Sequence, residues 1–236
     1  MNTKNRSITD ETPAAQNGYL KPLKVHADEC HKLMTSPRNK GDELSETTKT
    51  WLKEKAIEEV LGMRNIVATK PMMKGIVCEY ESIDLYNKVM RSKYKKNSVT
   101  KEKNGFCGTP DLLGDDCVIE IKTSWDATTF PFFRDEVSKL IKKRGYDWQC
   151  RVYTMLFGMC KASVSYCLVD TPNSELFLNQ WDNKALHRFD GIVDAQKRVS
   201  TSTVIERDTS IEQKMHERYV VANRYYQNYL EELHNK

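Results

Sequence analysis

The spacing of apolar positions alternates along the chain between helical and extended periods. After Ser45, the positions Leu52, Ala56, Ile57, Val60 and Leu61 recur at helical steps, which predicts a helix capped by Ser45 and stopped at Gly62. A second helix is predicted from about 74 to 91, with Ile76, Val77, Ile83, Leu85, Tyr86, Val89 and Met90 mostly on its apolar side. The period then shortens. "GFCGTPDLLG" and "CVIEIKTS" read as short strands joined at Gly114-Asp115-Asp116, a hairpin turn. Helical spacing returns in "FRDEVSKLIKKRG", ending at Gly145, and in "YDWQCRVYTMLFG", where Trp148, Val152, Met155 and Leu156 pack before Gly158. "ASVSYCLVD" is nearly continuously apolar, the pattern of a strand covered on both faces. Leu186, Phe189, Ile192 and Val193 mark a further helix, and a last one runs from about 208 to 234, striped by Ile211, Met215, Tyr219, Ala222, Tyr226, Tyr229 and Leu233. Helices, hairpin, helices, strand and helices in that order predict a mixed α/β domain.

Composition narrows this only slightly. With 39% hydrophobic and 30% charged residues the chain is ordinary for a soluble globular protein. No apolar run approaches the ~20 residues of a membrane helix, so no membrane partner is expected. The opening "MNTKNRSITDETPAAQNG" is polar, lacks the apolar core of a secretory leader and reads as a lead-in over residues 1–20. A cytoplasmic protein is therefore expected, with one domain over 21–236: a core at about 43–170 and C-terminal helices at about 183–234. The 7 cysteines form no CxxC pair and read as buried reduced thiols, and the 5 histidines show no ligand spacing. Trp51, Trp125, Trp148 and Trp181 read as packing residues, with Trp125 near enough to the EIKT strand to face a substrate.

The candidate chemistry sits in the hairpin. Side chains alternate along a strand, so in "VIEIK" Glu120 and Lys122 share one face while Ile119 and Ile121 take the other. The turn brings Asp111 back toward Glu120. Two carboxylates so placed suit Mg²⁺ or Mn²⁺, with the Ile121 carbonyl as a further oxygen ligand. Lys122 would then stand beside a metal-bound water, able to stabilise a hydroxide nucleophile or charge growing on phosphorus. A Glu and a Lys two apart on a strand ordinarily form a surface ion pair; "TPD" across the hairpin favours a site. The run "RSKYKKNSVTKEK", residues 91–103, is a solvated loop if taken alone, but a phosphate-tracking patch beside such a site.

"GTPDLLGDDCVIEIKT" resembles the core signature of the PD-(D/E)XK nuclease superfamily, here Pro110-Asp111 and Glu120-Ile121-Lys122. Gln149 and Tyr153 form a QxxxY arrangement as in its RecB-like branch. "KGIVCEYESIDLYNKV" resembles the helix that supplies an upstream acid in phage exonucleases of the lambda and YqaJ type, which selects Glu79, with Glu81 as fallback. "HADECHKLMTSPR" is similar to the opening segment of those enzymes. The resemblance spans roughly residues 23–170.

The resemblance implies a restriction endonuclease-like fold, a central mixed β-sheet flanked by helices with a helical C-terminal extension. It implies Mg²⁺-dependent hydrolysis of DNA, with Mn²⁺ substituting. Carried over by position, Asp111, Glu120, the Ile121 carbonyl and Glu79 would hold metal, and Lys122 would serve the nucleophile. Gln149 would hold the scissile phosphate or orient Lys122, supported by Tyr153. Thr109, Thr123, Ser124, Arg38, Lys95 and Lys96 are the candidate DNA contacts. One departure stands out: where the lambda type has a Ser that helps capture a 5′-phosphate, this chain has Asp28, which would repel it.

The expected function is a metal-dependent deoxyribonuclease, an exonuclease on double-stranded DNA with a free end in phage-type recombination or DNA processing. Its rivals are a structure-specific endonuclease or nickase on the same fold, and a DNA-binding module without cleavage. A homo-oligomer and a single-strand annealing protein are the partners the resemblance implies, in a bacterial host cytoplasm if the chain is phage-encoded.

Overall fold

A computed structural model describes residues 21–64 and 68–236; the lead-in of residues 1–20 lies outside them. The organising element is β5 (Cys117–Thr123), a seven-residue strand paired in parallel with β6 (Lys161–Cys167) from Cys117↔Lys161 to Thr123↔Cys167. β4 (Leu112–Leu113) folds back on β5 as the predicted hairpin, with Gly114 N–H donating to Cys117 O. On the other side β6 pairs antiparallel with β7 (Val199–Thr201) and β8 (Ile205–Glu206). A second, three-stranded sheet has the order β1 (Val25–His26), β3 (Phe106–Gly108), β2 (Lys101–Lys103). These are mixed sheets flanked by helices, as expected.

The crossover between the parallel strands is α5 (Arg134–Arg144) followed by α6 (Tyr146–Phe157). Gly145 joins them at φ +72°, and an added Cβ would lie 2.3 Å from His31 Cβ, so only glycine lets the junction approach α1 (Cys30–Leu33) this closely. Helix α2 (Glu46–Leu61) is capped by the Ser45 hydroxyl, which accepts from Thr48 N–H at 3.0 Å, and stops at Gly62 with φ 63°. Its buried side is Thr48, Trp51, Leu52 and Ala56; Ile57, Val60 and Leu61 are exposed. α7 (Thr209–His234) packs along α2, as its predicted stripe requires.

Four expectations need correction. The helix at 74–91 is two helices, α3 (Lys70–Val77) and α4 (Glu79–Met90), breaking at Cys78. α3 starts earlier because Thr69 caps it and Pro71 fits its first turn. No α-helix forms around Leu186–Val193. The Asp170 carboxylate accepts from the Phe189 and Asp190 amides at 2.7 and 3.1 Å, which takes donors a helix would use and leaves only a 3-10 turn at Lys184–His187. Trp181 is exposed, not packed. All seven cysteines are free, but Cys160 is exposed rather than buried. No helix among the described residues is long and apolar enough to cross a membrane.

Two apolar layers follow from this topology. Val118 on β5 joins Ala162 and Val164 of β6 in a core shared with α6, α2 and α7. Ile119 and Ile121 point the other way, into a smaller core with Ile83, Leu85 and Tyr86 of α4. β5 thus has no solvated face.

Candidate active site

Alternation on β5 places Glu120 and Lys122 on the α6 side, so Glu120 is buried at 4% exposure beneath that helix. Burying a carboxylate is costly unless donors meet it. Two do so: Lys122 Nζ donates to Glu120 Oε1 at 2.7 Å, and Gln149 Nε2 donates to the same oxygen at 2.9 Å. Gln149 Nε2 also meets the Tyr153 hydroxyl at 3.0 Å, and that hydroxyl donates to Thr109 O at 3.4 Å. Positions 146, 149 and 153 fall on one stripe of α6, so Tyr146 completes the cover; Lys122 Nζ lies 4.4 Å from its ring centroid.

Asp111 stands just before β4, where the hairpin brings it beside β5; its Oδ2 accepts from Ile121 N–H at 2.7 Å. Burial and the facing Glu120 push its carboxyl up to about 8, with Lys122 and the Ile121 amide opposing and Glu79 adding to the rise. For Lys122, burial favours the neutral amine, but Glu120, Tyr146 and Asp111 outweigh it and hold the ammonium protonated. The remaining oxygen of Glu120, Oε2, is buried without a hydrogen-bond partner, as is Gln149 Oε1.

Crowded carboxylates, one short of a donor and the other held toward its acid form, fit a divalent cation: oxygen ligands are present and positive charge is short. Among the described residues no three acidic, His or Cys side chains gather as a ready ligand set. Asp111 and Glu120 therefore form a pair, with Glu79, first residue of α4, near enough to act on Asp111 and held in an ion pair with Lys96. Glu81 lines a different cavity with Asp84 and Lys88.

The basic segment is more ordered than a solvated loop. Asn97 N–H donates to Asp111 O at 2.7 Å and Asn97 Nδ2 donates to Pro110 O at 3.0 Å, so this stretch clamps the turn that aims Asp111. It also delivers Lys96 to Glu79 and leaves Lys95 exposed. Thr109 is exposed, its hydroxyl 2.7 Å from that of Thr100. Thr123 bonds Ser82 through its hydroxyl at 2.8 Å, and Ser124 is buried. Arg38 lies in the exposed loop after α1, and Asp28 is exposed just before that helix. Sequence reasoning missed Tyr146, Asn97 and Gly108. A Cβ on Gly108 would lie 2.6 Å from the Tyr153 ring, so this glycine sets how near α6 comes to β3.

The sheet order, the helices on both faces and the helical C-terminal extension define a restriction endonuclease-like fold. Among solved structures, a phage-related exonuclease from Haemophilus somnus 129PT has the same fold, with a TM-score of 0.83 and 28% identity over 90% of this chain and 97% of that one. An alkaline exonuclease from Laribacter hongkongensis matches at a TM-score of 0.62 and 18% identity, covering 90% of this chain and 92% of that one. Its complex with dAMP matches at 0.58 and 17%, covering 89% and 91%. No protein-family model and no curated protein matches the chain.

Proposed function

We propose that this protein is a metal-dependent DNA exonuclease acting on double-stranded DNA with a free end. The observation that carries the reading is the Asp111–Glu120 pair, with a buried partnerless oxygen, beside the Lys122 ammonium. Its support is a fold shared with proteins described as exonucleases.

Asp111 and Glu120, with the Ile121 carbonyl, would hold Mg²⁺, and Mn²⁺ would substitute. Such an ion, when bound, lowers the pKa of water and neutralises charge on a phosphate. Lys122 stays protonated and donates to Glu120 Oε1, which keeps its ammonium beside the acid pair where it would meet an anionic phosphate. Gln149 fixes the Glu120 rotamer, and Tyr153 fixes Gln149 by tying it to the Thr109 carbonyl. Lys95 and Thr109, both exposed, are suited to hold the DNA backbone. Glu79, ion-paired with Lys96, would turn its carboxylate to the metal more readily once a phosphate draws Lys96 away. The exposed Asp28 argues against a strong preference for a 5′-phosphate.

The test is digestion of end-labelled linear duplex in Mg²⁺ beside covalently closed circles. Release of nucleotides from linear DNA with circles intact is the expected result. Cutting of the circles would favour an endonuclease or nickase on this fold, and both DNAs left intact would refute the nuclease reading.

A further inference from the structure

Lys74, on α3, is fully enclosed, at 0% exposure. An ammonium in that position must satisfy its donors internally. Its Nζ donates to Trp125 O and to Val169 O, each at 2.8 Å. Both carbonyls lie two residues past the last ladder pair of the parallel strands, Thr123↔Cys167, where β5 and β6 separate. Burial draws the Lys74 pKa down to about 8, with Cys78, Asp126 and Asp170 opposing the fall and Arg188 adding to it. A methionine would fill the same space without that penalty, so packing alone does not account for a lysine.

What the ammonium joins is informative. Lys74 O accepts from Cys78 N–H at 2.8 Å, and the next residue, Glu79, opens α4. Trp125 stands three residues after Lys122 on the same continuous stretch. A single side chain thus connects the α3–α4 junction to the end of the strand that carries Glu120 and Lys122. Ser82, in the first turn of α4, adds a second link through the Thr123 hydroxyl.

We infer that Lys74 is a positioning residue: its bridge from α3 to the ends of β5 and β6 sets the first turn of α4, and Glu79 with it, against the acid pair. The catalytic consequence rests on the nuclease reading above; the positioning itself does not.

Two measurements on the full chain separate these. Hydrogen exchange by mass spectrometry compares wild type with Lys74→Met, which keeps the volume and removes the donors. Amides of residues 79–83 should exchange about tenfold faster or more, with β6 unchanged. In parallel, Mg²⁺-dependent DNA cleavage is measured for Lys74→Met, Glu79→Gln and the double variant. Lys74→Met alone should lower kcat roughly 10- to 100-fold with KM unchanged, and should add no loss once Glu79 is replaced. If Lys74→Met does not fold, Lys74→Gln, which retains one donor group, carries the same comparison. Unchanged exchange in α4, or an equal loss of kcat in both backgrounds, overturns the inference. A wild-type protein that cuts no DNA refutes the nuclease reading instead, and the exchange result then decides the positioning alone.

Discussion

Replacing Asp111 by asparagine should flatten a fall in stability expected of the metal-free protein as pH rises. The Asp111 carboxyl is pushed from 3.8 up to about 8 by burial and by Glu120. An unfolded chain ionises the same group near pH 4. Between pH 5.5 and 7.5 the folded protein therefore holds a proton that the unfolded chain has released. The sign follows: a folded state that binds more protons loses stability as pH rises. One proton corresponds to about 1.4 kcal/mol per pH unit, or about 3 kcal/mol across that window. For a chain of 236 residues this is a drop in Tm of about 6–12 °C. Asp111→Asn keeps an oxygen for the Ile121 amide, which sits 2.7 Å away, but has no proton to lose. Calorimetric melts in EDTA at half-unit pH steps, wild type minus variant, read the titration of the acid pair to which this group belongs. Excess Mg²⁺ should remove most of the wild-type fall, because the carboxylates then bind the ion in place of the proton. Parallel curves for the two proteins in EDTA would refute the reasoning.

Lys122→Met should reduce Mg²⁺-dependent cleavage by about 10²–10³-fold, since the only cation hydrogen-bonded to Glu120 among the described residues is removed; a fluorescent end-labelled duplex reports it. Gly108→Ala should push on the Tyr153 ring, 2.6 Å from the added Cβ, and on Ala27 Cβ at 3.0 Å. It should cost about 1–3 kcal/mol in urea melts and lower cleavage even where the protein is fully folded, because the Tyr153 hydroxyl is drawn from Gln149.

The site was more legible in the sequence than its surroundings were. Alternation in "VIEIK" placed Glu120 and Lys122 together, and the Gly114-Asp115-Asp116 turn returned Asp111 to them. The same alternation could not reveal that α6 covers this face, because a one-face-polar strand reads as solvated until its partner helix is known. The resemblance selects Glu79 for the set, but its ion pair with Lys96 has no sequence signal, because the path of the basic stretch is fixed by Asn97 and not by charge. Lys74 left no signal at all: its partners are backbone carbonyls, which every residue has. The helix expected near Phe189 is absent for a reason nineteen residues upstream, at Asp170. β1, β2, β7 and β8, at two or three residues each, are too short to show a period.

Cleavage by the proposed route depends on Asp111 and Glu120 seating a divalent cation. Titration of Mn²⁺ into metal-free protein by calorimetry, wild type beside Glu120→Gln, tests it without any substrate. Saturable binding to wild type that the variant loses is the predicted result. Equal heats for both proteins, or no binding to wild type, would contradict it.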